Sequence, residues 1–110
     1  MLYHELQEKL RTYNWDDGFA VPQEILDDPN CDLALALEIF YLADGFACLS
    51  GRTETSGLTQ WKEWIVSLYD GIRNGRYPQT DVPFEIPLTR TAKYQFRKKQ
   101  IPEVFLRDLP

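Results

Sequence analysis

A mainly α fold is predicted for this chain: a compact bundle of about five helices with a proline-rich extended strap, in one domain spanning residues 1–110. Three observations carry the prediction. Apolar residues recur at three- and four-residue intervals in two stretches: Tyr3, Leu6, Leu10, Tyr13, and later Leu58, Trp61, Ile65, Leu68, Tyr69, Ile72. That spacing is the mark of helices with one buried face. Between them, residues 33–43 are almost wholly apolar, with Glu38 the sole charge. Finally, Pro78, Pro83 and Pro87 forbid a helix across residues 75–88.

The elements follow in order. Residues 2–13 form an amphipathic helix, with Glu5 and Lys9 placed four apart in the favourable order. It stops at Asn14-Trp15-Asp16-Asp17-Gly18, where Asp-Gly supplies turn chemistry and Asp16 and Asp17 are expected to accept nearby backbone N–H groups. Pro22 suits the first position of a short helix over residues 22–26, which Asp28-Pro29 ends. Asn30 or Asp32 caps the apolar helix of residues 33–43, roughly 16 Å long and therefore a core helix rather than a membrane span. Gly45 is read as its end, although residues 46–49 can extend it, and residues 50–57 as a polar loop. Thr59 caps the next helix, which Gly75 stops. Phe84, Ile86 and Leu88 alternate in the strap, which fits a segment lying over the core or an edge strand. Thr89 or Thr91 caps a basic helix, and Pro102 opens a last short one carrying Val104, Phe105 and Leu106.

With 44% hydrophobic and 14% aromatic residues, the chain can bury a core without disulfides or metal. No run of about 18 apolar residues occurs, so no membrane helix is expected. Met1-Leu2-Tyr3-His4-Glu5 has neither the basic nor the apolar region of a signal peptide. Cys31 and Cys48 lie in apolar sequence and read as reduced, buried thiols, so a cytoplasmic address is expected. One histidine and two separated cysteines are too few for structural zinc. The net charge of −5 divides unevenly: residues 1–50 carry ten acids against two bases, and residues 51–110 carry ten bases against seven acids. Net acidity argues against general nucleic-acid binding, which needs a positive field.

The chemistry-bearing residues admit several readings. Asp16-Asp17-Gly18 has the wrong spacing for a helix-loop-helix calcium loop, and Pro29 interrupts Asp27-Asp28, so capping and turn duty is the ordinary reading and no metal is expected. An acid–base pair needs one desolvated carboxyl and one held ionised, and adjacent aspartates in a solvated turn do not supply that. His4 reads as a surface partner for Glu8. No nucleophile elbow, phosphate loop or dinucleotide fingerprint appears, so neither an enzyme nor a cofactor is expected. Arg90, Lys93, Arg97, Lys98 and Lys99, interleaved with Tyr94 and Phe96, have the form of a nucleic-acid contact. The ordinary alternative is a solvated face met by the acidic half. Trp61 reads as buried, and Trp15 as a structural anchor or a partner contact.

Asn14-Trp15-Asp16-Asp17-Gly18-Phe19, Val21-Pro22, Pro29-Asn30-Cys31-Asp32-Leu33 and Ala36-Leu37-Glu38-Ile39-Phe40 together resemble a family of small bacterial proteins known as a domain of unknown function. The resemblance covers residues 13–45 and departs at Ala34-Leu35, where a Gly-Thr pair is usual. It implies a short cytoplasmic protein, in some members encoded beside polymorphic or contact-dependent toxins, and it assigns no catalytic residue.

The function expected is non-catalytic protein binding of the immunity type. An acidic face drawn from Glu5, Glu8, Asp16, Asp17, Glu24, Asp27 and Asp28, with Trp15 as anchor, would occlude a basic toxin or nuclease domain. The alternative is a nucleic-acid-associated regulator using the basic helix.

Overall fold

Helix α3, Leu33–Leu42, is the axis on which the other elements pack in the computed structural model, which describes residues 1–54 and 57–110. Leu33, Ala34, Leu35, Ala36, Leu37, Ile39 and Phe40 are all buried. A helix apolar on every side has to be surrounded, and here it is. Around it lie α1 (Tyr3–Arg11), α2 (Ala20–Asp27), α4 (Gly45–Leu49), α5 (Thr59–Arg73) and α6 (Arg90–Lys98). Short 3-10 turns stand at Trp15–Asp17, Arg52–Glu54 and Glu103–Phe105. The fold is mainly α, and no strand occurs among the described residues. Its radius of gyration of 13.6 Å sits close to the value of about 13 Å for a globular chain of this length.

Each neighbour contributes one apolar stripe: Leu6 and Leu10 from α1, Ile25 and Leu26 from α2, Ile65, Leu68 and Ile72 from α5, and Phe96 from α6. The N-terminus of α3 is set by Asp32, the one buried charged residue among those described. Its Oδ1 accepts the Leu35 N–H at 2.9 Å and the Tyr3 hydroxyl at 2.8 Å, and its Oδ2 accepts the Thr80 hydroxyl at 2.6 Å. The Leu33 N–H donates to the Pro78 carbonyl. One side chain thus joins α1, α3 and the strap.

The chain closes over the other end. Phe105 is fully buried, stacked on Tyr69 with centroids 4.6 Å apart and tilted against Phe40, and its carbonyl accepts the Tyr41 hydroxyl. Residues 75–88 run extended, turning Val82, Phe84, Ile86 and Leu88 towards the core. The strap does not become an edge strand: one antiparallel bridge joins Phe84 to Leu109. Asp108 accepts the Ile86 N–H at 2.8 Å and holds the two extended segments together.

Several local expectations need correction. Helix α2 begins two residues before Pro22, because every N–H in a first turn lacks a helical partner and proline costs nothing there. Thr59 is already helical, and Leu58 takes the cap position because its carbonyl accepts the Lys62 N–H. Gly45 does not end the core helix. Asp44 does, in the left-handed conformation (φ 67°), and Gly45 opens α4 instead. What requires glycine at 45 is crowding: a Cβ there would overlap the Phe40 ring and lie 2.8 Å from the Phe40 carbonyl oxygen. Thr89 is the cap of α6, accepting the Ala92 N–H. The part of the expected polar loop at residues 55–56 lies outside the described residues.

Gly45→Ala is expected to lower unfolding free energy by about 1–3 kcal/mol through overpacking. Gly71→Ala meets only ordinary contacts with Tyr77 and Arg76 in mid-helix, and is expected to raise it by up to about 1 kcal/mol. Urea titration of both variants checks the contrast. Asp32→Ala strands three donors and is expected to cost about 3 kcal/mol or more, whereas Thr80→Val, which removes one, costs about 1–2 kcal/mol. The same titrations read the difference.

Candidate functional site

The turn after α1 is rigid for local reasons. Asn14, not an aspartate, caps the 3-10 turn by accepting the Asp16 N–H at 3.0 Å. The Tyr13 hydroxyl donates to the Gly18 carbonyl at 2.6 Å, and Gly18 takes φ 90°, open to glycine and strained for other residues. Tyr13 packs edge-on against Trp15, and Phe19 stacks on Trp64 with centroids 4.6 Å apart. The Trp64 indole N–H finds Gln23, and the Trp61 indole N–H finds the Ala43 carbonyl at the end of α3. Trp61 is half-buried rather than buried, since that bond draws it to the protein's edge.

These rings border a groove of about 510 Å³, within the usual range for binding pockets of about 300–1,000 Å³. Trp15, Phe19, Leu42, Ala47, Leu58 and Trp61 line it. Leu42 and Leu58 remain 51% and 69% exposed. Asp44 lies on this groove, and Asp16 on its continuation past Gly57. Arg52 also reaches it and is engaged within the chain. Sequence periodicity missed the groove, because Leu42 and Leu58 are apolar residues that look like core.

The expected acidic face is not uniform. Glu24 pairs with Lys9 at 3.1 Å, Asp27 with Arg76 at 3.2 Å, and Asp28 with the Met1 amino group at 3.2 Å. The Asn30 N–H and that amino group hold the Asp28 carboxyl below its ordinary value. Glu5 accepts the Leu2 N–H and closes the first turn of α1. Glu8 is exposed on α1. The carboxylates of Asp16 and Asp17 have no hydrogen-bond or ion-pair partner among the described residues. Of the eight residues expected in this face, only Trp15 and Asp16 are brought to the groove.

The basic set is largely engaged, and by C-terminal acids rather than the acidic N-terminal half. Arg97 bonds both oxygens of Glu103, Lys93 pairs with Asp108, Lys98 lies over the Tyr94 ring, and Lys99 donates to the Leu49 carbonyl. Arg90 is exposed. The thiols offer no activated nucleophile: burial pushes Cys31 up to about 12 and Cys48 up to about 11. Among the described residues no three His, Cys, Asp or Glu side chains gather as a metal site, and no helix is long and apolar enough to cross a membrane.

A family model described as a domain of unknown function, DUF4274, matches residues 3–72, and the chain belongs to that family. The match extends well beyond the residues that first suggested such a family. It contains every groove residue and stops before α6. No curated protein and no solved structure matches the chain.

The Asp108 carboxyl is held low, chiefly by the Ile86 N–H and then by Lys93. A folded value below the unfolded one gives stability that is full above the ordinary carboxylate range, near pH 4, and is lost as pH falls through the folded value. Thermal unfolding between pH 6 and pH 2 is expected to show that acid-side loss, and Asp108→Asn to make it smaller.

Proposed function

We propose that this member of the DUF4274 family is a non-catalytic, cytoplasmic protein-binding protein of the immunity type, which occludes the active site of a basic toxin or nuclease domain. One observation carries the reading. The Trp15–Asp17 turn leaves the Asp16 and Asp17 carboxylates without a partner among the described residues, with Asp16 on an open aromatic groove, while Glu24, Asp27 and Asp28 of the same acidic set are paired internally. Unpaired carboxylates steer a basic partner and suppress acidic ones, and a rigid aromatic border provides desolvated contact once it arrives. The rest of the acidic face acts at longer range. Glu5, Glu8, Glu24, Asp27 and Asp28 still add negative potential near α1 and α2, although three of them already have ion-pair partners. The resemblance of residues 13–45 to a family of which some members are encoded beside toxins points the same way.

The nucleic-acid reading loses support from Arg97–Glu103 and Lys93–Asp108, since a phosphate would have to displace a bonded carboxylate at each.

Affinity purification of the tagged protein from its own cells, washed at low and then high salt, names the partner. The purified partner's activity is then titrated with this chain. Inhibition that completes at equimolar chain, and that Asp16→Lys with Asp17→Lys weakens by about tenfold or more, is the expected result. Recovery of nucleic acid in place of protein, or inhibition indifferent to both salt and charge reversal, would overturn the proposal.

A further inference from the structure

We infer that the groove between the Trp15 turn and the Leu42–Asp44 corner seats one bulky apolar side chain from a basic segment of a partner protein. This rests on the protein-binding reading above and names the chemistry of the segment. Shape and charge both bear on the occupant. Trp15, Trp61 and Leu42 line a largely apolar slot of about 510 Å³. Leu42, at the end of the core helix, is left 51% exposed. An apolar ring or branched aliphatic side chain matches such walls.

The rim decides the flanking residues. Asp44 stands on the main groove and Asp16 on its continuation, so two carboxylates border the slot. Asp44 spends one oxygen on the Ala47 N–H at a long 3.3 Å, and Asp16 spends none on the described residues. Arg52, the cation that also reaches the slot, is itself engaged within the chain. A segment with lysine or arginine on each side of its apolar residue satisfies both carboxylates, while an acidic segment is repelled by both. Both aspartates accept replacement by asparagine: Asn caps helices as well as Asp does, and it tolerates the left-handed conformation of residue 44.

The three indoles make the test direct. Trp15 and Trp61 border the slot, whereas the Trp64 N–H is bonded to Gln23 on the far side of Phe19. In ¹⁵N-labelled protein, the indole resonances are followed while two capped peptides are titrated, Lys-Lys-Phe-Lys-Lys and Glu-Glu-Phe-Glu-Glu. The lysine peptide is expected to shift Trp15 and Trp61 saturably with a dissociation constant of about 1 mM, and Trp64 far less. The glutamate peptide should bind about tenfold more weakly or worse. Asp16→Asn with Asp44→Asn should abolish that preference, and Leu42→Ser should weaken both peptides, with native unfolding midpoints confirming that the variants fold. Equal binding of the two peptides, or lysine-peptide shifts confined to residues away from the slot, would overturn the inference, as would no saturation at about 10 mM. Leu42→Ser is also carried into the inhibition titration. If it inhibits the partner as well as the native chain does, the slot fails while the protein-binding reading stands; if the native chain inhibits no partner, the reading itself fails.

Discussion

Burying the Asp32 side chain is the constraint from which most of the architecture follows. A carboxyl group 2% exposed is tolerable only if donors surround it, and three elements supply them: Tyr3 from α1, Leu35 from the first turn of α3, and Thr80 from the strap. The donors converge from residues 29, 3 and 48 positions away in sequence, so forming this cluster fixes how the first helix and the strap sit on the core helix. The position also suits the charge, since an oxygen at a helix N-terminus faces exposed N–H groups and the favourable end of the helix dipole. With the N-terminus of α3 pinned there and Phe105 sealing its other end, the core helix has little freedom to rotate or slide.

The groove arises at the opposite end from that pin. Core helix α3 ends at Asp44 in a left-handed turn, and Gly45 lets α4 fold back directly over Phe40. The reversal leaves Leu42 facing outwards. Trp61 ties α5 to the same corner through the Ala43 carbonyl, and the stacking of Phe19 on Trp64 brings the Trp15 turn alongside. Four pieces of chain, each rigid for its own local reason, therefore meet around a space that none of them fills. Such a space on ordered elements suits recognition, because the contacts need no reordering when a partner arrives.

Ion pairing does little to join the acidic first half of the chain to the basic second half. Asp27 reaches Arg76 across them, but most pairs form within a half: Glu24 with Lys9, Glu103 with Arg97, Asp108 with Lys93. Exposed pairs of this kind add little stability, yet they decide which charges remain available to a partner. By that measure Asp16 and Asp17 have no partner among the described residues, whereas Lys93 and Arg97 of the basic helix do.

The sequence by itself determined the fold class, the helix stripes, the proline-broken strap and a cap at Asn30 or Asp32, because 3.6-residue periodicity, missing proline N–H groups and short polar side chains act within a turn or two of chain. It also marked the Trp15 turn as distinctive. Only the tertiary structure decided that Asp32 is a three-way junction, that Gly45 is needed for packing rather than for ending a helix, and that Leu42 and Leu58 line a groove instead of the core. The physical reason is range. Periodicity says that a residue is apolar and on which face of its own helix it lies, but whether that face is covered depends on elements far away in sequence. The same holds for charge: sequence counts the carboxylates, and only the fold says which of them find a partner.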